Sequence, residues 1–265
     1  MTVTDLDQTI VQLRGAGCVF AEDEAAVLGA AATDPAHLQQ MVDRRVQGEP
    51  LEQVVGYADF CGVRVRLRPG VFVPRVRSEL LVHTALKELS SGGGTVVDLC
   101  CGSGALGLAV RQQAPTIRLL AADSDPVAVA CALDNLGGDV FQGDLFAALP
   151  AALRGQVDVL LANVPYVATA HIPLLPAEAR LHEPHTALDG GADGLDVFRA
   201  VLAAAGDWLA PGGLLLSEIT EAQTGAAVAA VRAAGLHPEV VPDEELDARV
   251  VTARRLELPG VDRLR

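Results

Sequence analysis

Lysine is almost absent from this chain: Lys87 is the single one among 265 residues. Acids outnumber bases, giving a formal net charge of −14 and a pI near 4.7. Binding nucleic acid through its phosphates needs clustered Lys and Arg, so this balance argues against that class. The cysteines (Cys18, Cys61, Cys100, Cys101 and Cys131) are odd in number and form no CxxC pair, which reads as free thiols in a reducing cytosol. The opening MTVTDLDQTI lacks the basic region and apolar core of a signal peptide, and no apolar run is long and unbroken enough to span a bilayer. Half the residues are hydrophobic and a fifth charged. The expectation is an acidic, cytoplasmic, globular protein with a substantial core and no membrane association.

The first 48 residues read as short helices, with Asp-Pro at 34–35 opening one of them and glycines closing others. Next, Val63, Val65 and Leu67 alternate with Arg64, Arg66 and Arg68 before Pro69-Gly70. That period of two reads as a hairpin. A flexible stretch at 90–94 (SSGGG) leads into a different pattern. Apolar runs at 96–99, 119–122, 157–162 and 214–217 alternate with helical segments at 105–113, 126–136 and 195–208. Such alternation predicts an α/β fold with a doubly wound, parallel sheet, and ligands at the carboxyl ends of its strands.

Those strand ends carry the chemistry. The run VVDLCCGSGALG passes from a strand through Asp98, Cys100, Cys101, Gly102, Ser103 and Gly104 into a helix. Glycines at 102 and 104 permit a tight turn and close approach of a ligand to the backbone. Gly107 stands where a third glycine would let helix and strand pack closely, which at this point leaves a dinucleotide open. The next strand ends in Asp123, about twenty residues past Gly102, where a carboxylate takes the hydroxyls of a ribose. A third strand end brings Asp144, an acceptor for an adenine amino group, with Leu145 and Phe146 as apolar neighbours of the ring. Each acid alone is an ordinary cap or turn residue. Three of them around one glycine turn, with no lysine nearby, would repel a pyrophosphate and suit the cationic, phosphate-free S-adenosylmethionine. Methyl transfer is therefore expected over hydride transfer.

At 163–166 an apolar strand ends in Asn-Val-Pro-Tyr. Together with GEPLEQVVGYADFCGVRVRLRPGVFVPR from Gly48, DLCCGSG from Asp98, EPHTALDGGADGLDVFR from Glu183, LLLSE from Leu214 and ARVVTARR from Ala248, this tetrapeptide makes the chain resemble the HemK-type protein-(glutamine-N5) methyltransferases over nearly its whole length. Those enzymes methylate a glutamine side chain in peptide chain release factors. The chain departs from the family at Val164, where a proline is usual, and in the segment Pro74-Arg75-Val76-Arg77-Ser78-Glu79, where Pro-Arg-Pro-Glu-Thr-Glu is usual. With DLCCGSGA these departures resemble a paralogous branch of high-GC bacteria whose protein substrate is unassigned.

The resemblance implies a Rossmann-like class I S-adenosylmethionine-dependent methyltransferase domain at 75–265, a linking β-hairpin at 56–74, and an N-terminal helical partner-recognition domain at 1–55. It implies Asn163, Val164, Pro165 and Tyr166 as the catalytic turn, and Phe72 and Arg75 as borders of the cofactor site. An amide nitrogen is a poor nucleophile, so a site must orient it and accept both its hydrogens. The side-chain oxygen of Asn163 and, as the family implies, the carbonyl of residue 164 would do so, with Tyr166 packed on the flat amide. Pro165 keeps Val164 extended. No metal is implied: His182 and His185 flank Pro184 and share no helical face. The Gly-rich 189–194 is expected to cover the substrate cleft. The partner implied is a protein presenting a glutamine, a release factor or another. The alternatives are methylation of a nucleic-acid amino group and a cofactor-binding paralogue without catalysis.

Overall fold

The computed structural model describes residues 3–89 and 93–257; of the predicted flexible stretch, residues 90–92 lie outside the described residues. The chain begins with four helices, α1 (Val3–Gly15), α2 (Ala21–Ala31), α3 (Pro35–Val46) and α4 (Leu51–Val55). The Asp-Pro signal works as read. The Asp34 carboxylate accepts the His37 N–H at 2.9 Å, and Pro35 occupies the first turn, where its missing N–H is harmless. Leu13, Leu28, Leu38, Met41, Val42 and Val54 form a core that belongs to these helices alone. Arg45 on α3 binds Glu24 at 2.6 Å and also reaches Glu178, tying the helices to the rest of the molecule.

The hairpin joins β1 (Tyr57–Phe60) to β2 (Val63–Arg66), with Val65 and Leu67 buried and the arginines outside. Its turn is not at Pro69-Gly70, which bends the chain after the second strand. It is at Cys61-Gly62, where both residues are left-handed (φ 46° and 76°) as a two-residue hairpin loop demands. Asn135 fastens β2 to the main domain: its amide exchanges two hydrogen bonds, each 2.9 Å, with the backbone of Arg66 and gives a third to the Ser103 carbonyl.

After α5 (Glu79–Glu88) come β3 (Thr95–Leu99), α6 (Ala105–Gln113), β4 (Arg118–Asp123), α7 (Pro126–Leu136), β5 (Val140–Gln142), β6 (Val157–Ala162), α8 (Ala177–His182), α9 (Asp196–Trp208), β7 (Leu209–Glu218), α10 (Thr224–Ala233), β8 (His237–Asp243) and β9 (Ala248–Arg254). The sheet order is β5-β4-β3-β6-β7-β9-β8, parallel from β5 to β7, with β9 antiparallel to both of its neighbours. The doubly wound sheet expected from the alternating pattern is present, with two strands after α10 that the pattern did not announce.

Both faces of the sheet are buried. Val97, Leu99, Leu120, Ala122, Leu160 and Ala162 face one core with α9, and Val96, Ala121, Val159 and Leu161 face another with α5 and α6. This two-sided burial is why the strands read as unbroken apolar runs. In register, Leu99 lies opposite both Ala122 and Ala162. The next residues, Cys100, Asp123 and Asn163, therefore lie at one level along one edge of the sheet. Chain order reverses between β3 and β6, which opens a crevice at that edge. Among the described residues no helix is long and apolar enough to cross a membrane.

Candidate functional site

A cavity of about 1020 Å³ opens at this edge. Its floor is the turn after β3. Cys100, Gly102 and Gly104 all have positive φ (57°, 55° and 75°), so the chain doubles back sharply before α6. The glycines differ in purpose. A Cβ on Gly104 would lie 2.9 Å from Leu136 Cδ1, so this glycine lets α6 and α7 pack, and it does not line the cavity. A Cβ on Gly102 would meet nothing within 4 Å, and this residue does line the cavity with Cys100, Cys101 and Ser103. Gly107 allows close packing, since a Cβ there would lie 3.1 Å from both the Asp98 carboxylate and Leu119.

The three acids occupy different depths. Asp98 is 1 % exposed and lies outside the cavity lining, with Oδ2 accepting the Gly107 N–H at 2.9 Å. Its Oδ1 is buried and has no hydrogen-bond partner among the described residues. Burial pushes this carboxyl up to about 7 against the Gly107 bond, and Asp123 adds to the rise. Asp123 lines the wall and accepts N–H groups from Gly102 (2.9 Å) and Asp125 (3.0 Å), one on each oxygen. Burial raises its pKa and those bonds resist the rise. Asp144 and Leu145 line the rim. Phe146 does not: Leu145 turns the chain at φ 45°, and Phe146 stacks in the core on Trp208 with centroids 5.3 Å apart. Burial, then the charges of Asp123, Asp98 and Asp144, lift the Cys100 thiol to about 12. It is a protonated, unreactive thiol at neutral pH.

Opposite the acids stands the Asn163 turn. The Asn163 amide donates through Nδ2 to Ser78 Oγ at 3.2 Å, while its Oδ1 is buried without a partner among the described residues. Ser78 Oγ donates onward to Glu218 Oε2 at 2.6 Å. The Tyr166 hydroxyl donates to Glu218 Oε1 at 2.6 Å, and Arg77 reaches the same oxygen at 2.9 Å while lying 5.8 Å from the Tyr166 ring. Glu218, 3 % exposed at the end of β7, is thus the hub of the turn. Burial first, then Glu218, drives the Tyr166 phenol above its usual range, so it stays a neutral donor. Val164 is 2 % exposed and packs its side chain into the core.

The Gly-rich 189–194 does not line this cavity. It packs behind the turn: Gly190 N–H donates to the Val167 carbonyl at 2.8 Å, and Gln223 bridges the carbonyls of Tyr166 and Asp193. Side chains at 190 and 194 would collide with the backbone of Pro165 and Tyr166. At the far wall, Arg75 lies 5.0 Å from the Phe72 ring and donates to Glu183 Oε2 at 2.6 Å; the Val73 N–H takes the other oxygen. Burial raises the Glu183 carboxyl, opposed chiefly by Arg75.

Apart from Asp98, Gly104, Phe146 and the Gly-rich 189–194, the expected site residues line one cavity. Sequence reasoning missed Ser78, Glu218 and Glu183 as site residues. Glu218 carried a usable signal, since it ends an apolar strand just as Asn163 does. Ser78 carried none, being distant in sequence from the turn that it supports.

Residues 62–193 match the family described as methyltransferase small domain. The chain is 39% identical over 215 residues to the release factor glutamine methyltransferase of Moorella thermoacetica, covering 77% of this chain and 74% of that one. With the Cereibacter sphaeroides protein of the same name it shares 37% identity over 227 residues, 83% and 79% of the two chains. Among solved structures, a methyltransferase from Pyrococcus furiosus superposes with a TM-score of 0.54 at 14% identity, covering 74% of this chain and 90% of that one. That likeness is one of fold: the class I methyltransferase sheet.

Proposed function

We propose, because the chain belongs to the release factor glutamine methyltransferase family, that it methylates the N5 side-chain amide of a glutamine in a protein of the release-factor class. S-adenosylmethionine, when bound, supplies an electrophilic sulfonium methyl group. The residues present fit that cofactor. Asp123 and Asp144 offer carboxylates to hydroxyl and amino groups, Gly102 leaves the floor open, and the acids of the site favour a cation over a phosphate. Cys100, Cys101, Ser103 and Leu145 shape the walls, Gly104 sets the turn, and Phe72 and Arg75 close the far side. Asp98, outside the lining, is a buried carboxyl whose ionisation a bound cation would favour.

The observation that carries the reading is Asn163, which lines the cavity and whose Oδ1 is buried without a partner among the described residues. A buried acceptor without a donor is destabilising, and a substrate NH2 group would satisfy it. Asn163 Oδ1 takes one amide hydrogen and the Val164 carbonyl the other. Holding both in this way favours a pyramidal nitrogen whose lone pair is free to attack. Tyr166 packs on the flat amide, and Pro165 fixes the turn. No strong base is needed, because the methylated nitrogen loses its proton readily, and neither the Cys100 thiol nor the Tyr166 phenol is ionised to provide one.

The helices over 1–55 serve partner recognition in this reading, supported by their separate core. The substrate is protein, since Asp125, Asp144 and Asp196 at the cavity would repel a nucleic-acid backbone. The test is transfer of labelled methyl from S-adenosylmethionine to a recombinant release factor and to whole lysate, with the modified residue identified by mass spectrometry. Methylglutamine in either is the expected result. Label on another residue type or on nucleic acid, or none at all, refutes the reading.

A further inference from the structure

We propose that Glu218 is a positioning residue that fixes which end of the Asn163 amide is left for a substrate; the proposal rests on the glutamine-methylation reading above. Three donors converge on this carboxylate, from Ser78, Tyr166 and Arg77. A carboxylate only accepts. Ser78 has one hydroxyl proton, and at 2.6 Å from Glu218 Oε2 that proton is committed. Ser78 Oγ can then only accept, so the Asn163 atom 3.2 Å away must be the amide nitrogen. Oδ1 is thereby turned the other way, to the position of the unpartnered acceptor. The polarity of the chain from Glu218 through Ser78 to Asn163 thus decides that the oxygen, and not the NH2 group, is the end left without a partner.

An amide in place of the carboxylate removes that decision while keeping the shape. In Glu218→Gln the oxygen can still accept from Tyr166, but the NH2 group can donate to Ser78 Oγ. The serine proton is then released toward Asn163, whose amide turns over and presents N–H groups to a substrate that also presents N–H groups. Glu218 does not line the main cavity, so cofactor binding should not move.

The test combines kinetics with a readout independent of turnover. Glu218→Gln is expected to lower kcat at least about tenfold, the scale of one lost charge-assisted hydrogen bond. S-adenosylhomocysteine should bind it as it binds the wild type. Glu218→Asp, which keeps the charge, should recover part of kcat. In the wild type the Asn163 side-chain NH2 should be protected from deuterium exchange by NMR, and in Glu218→Gln it should exchange freely. An unchanged kcat together with unchanged protection overturns the proposal and leaves the methyltransferase reading intact. If the wild type methylates no glutamine, that reading fails, and the exchange measurement still decides the polarity.

On a separate observation, the geometry points to a zinc-class metal site outside the reaction cavity. Cys61, Glu79 and His83 bring a thiol, a carboxylate oxygen and an imidazole nitrogen within 4.8 Å of one another, and none of the three lines the cavity. Glu79 and His83 are one turn apart on α5, on the same face. Cys61 meets them from the hairpin tip in a left-handed conformation that a non-glycine residue seldom adopts. One Glu79 oxygen accepts the Cys61 N–H at 3.2 Å, the kind of supporting bond that orients a ligating group. Tetrahedral zinc sites hold ligand atoms roughly 3.5 Å apart, and His83 is an exposed side chain. A thiolate–imidazole–carboxylate set suits zinc over magnesium or calcium and leaves a fourth position for water.

Cobalt(II) titration of the reduced full-length protein should give one site with a thiolate charge-transfer band and intense tetrahedral visible bands, and zinc should displace it. Cys61→Ser should abolish the band and weaken zinc binding at least about tenfold, and His83→Ala should weaken it likewise. Zinc should raise the melting temperature of the wild type but not of Cys61→Ser. A featureless titration, or a band that survives Cys61→Ser, overturns the site.

Discussion

Asp98 stores free energy that the protein should recover only when a cation binds, and Asp98→Asn exposes this. Burial lifts the folded-state carboxyl from 3.8 to about 7. An acid whose folded pKa is raised favours folding at low pH. That contribution is fully present below pH 4 and is lost as pH climbs through 7. The shift of about three units corresponds to roughly 4 kcal/mol of destabilisation at pH 8. Asparagine carries no charge to desolvate. Its oxygen can keep the Gly107 N–H, and its NH2 would replace the unpartnered Oδ1, at about 1–3 kcal/mol for an unsatisfied buried donor. The net expectation at pH 8 is a gain of about 1–3 kcal/mol, or roughly 2–12 °C in melting temperature for a chain of this size. At pH 5 the wild-type carboxyl is protonated and the advantage should vanish or reverse. The same variant should bind S-adenosylmethionine more weakly, because the cation loses its buried counter-charge. Wild-type binding near pH 7 should release a proton, visible by calorimetry in buffers of different ionisation enthalpy. Melting curves from pH 5 to 8 and the two affinities check this. A variant no more stable at pH 8 than at pH 5 relative to wild type, with unchanged affinity, would refute the reasoning.

Asn163→Ala should abolish methyl transfer while S-adenosylhomocysteine still binds by calorimetry; normal turnover would contradict the role of Oδ1. Asp123→Ala should weaken cofactor binding by roughly 1.5–3 kcal/mol, about 10- to 150-fold in Kd, and also loosen the turn, since both of its oxygens hold backbone N–H groups. Val164→Pro should keep turnover at or above wild type. The loss of part of a buried side chain is offset by about 0.4–1 kcal/mol from a stiffer unfolded chain, and a dead variant would show that this turn is reshaped for a different substrate.

The central strands were legible to within a residue or two because both of their faces are buried, leaving no polar interruption in the runs at 96–99, 119–122 and 157–162. The helices at 105–113 and 126–136 were legible to the residue, the second because Asp125-Pro126 caps it. Other parts were hidden for physical reasons. β8 is an edge strand that contains Pro238 and Pro242 and is half exposed, so neither propensity nor alternation marks it. The hairpin was seen but its turn was not located, because a cysteine at positive φ is not a turn signal. The Gly-rich 189–194 looked like a cover because glycine suggests motion. Here it marks close packing, where Gly190 and Gly194 let two backbones touch.

The site residues that escaped reading share one cause. Periodicity reveals which side chains leave a sheet at its edge but not which distant segments those side chains meet. Asn163 is legible because a polar residue ends an apolar strand. Its orientation depends on Ser78 and Glu218, 85 and 55 positions away in sequence, which the fold brings together where β6 and β7 run side by side. Such a supporting chain is foreseeable only if the sheet order is known first. Once β7 is placed next to β6, a glutamate ending one strand beside an asparagine ending the other needs donors to satisfy it. The hydroxyls of Ser78 and Tyr166 and the Arg77 guanidinium are those that come within reach.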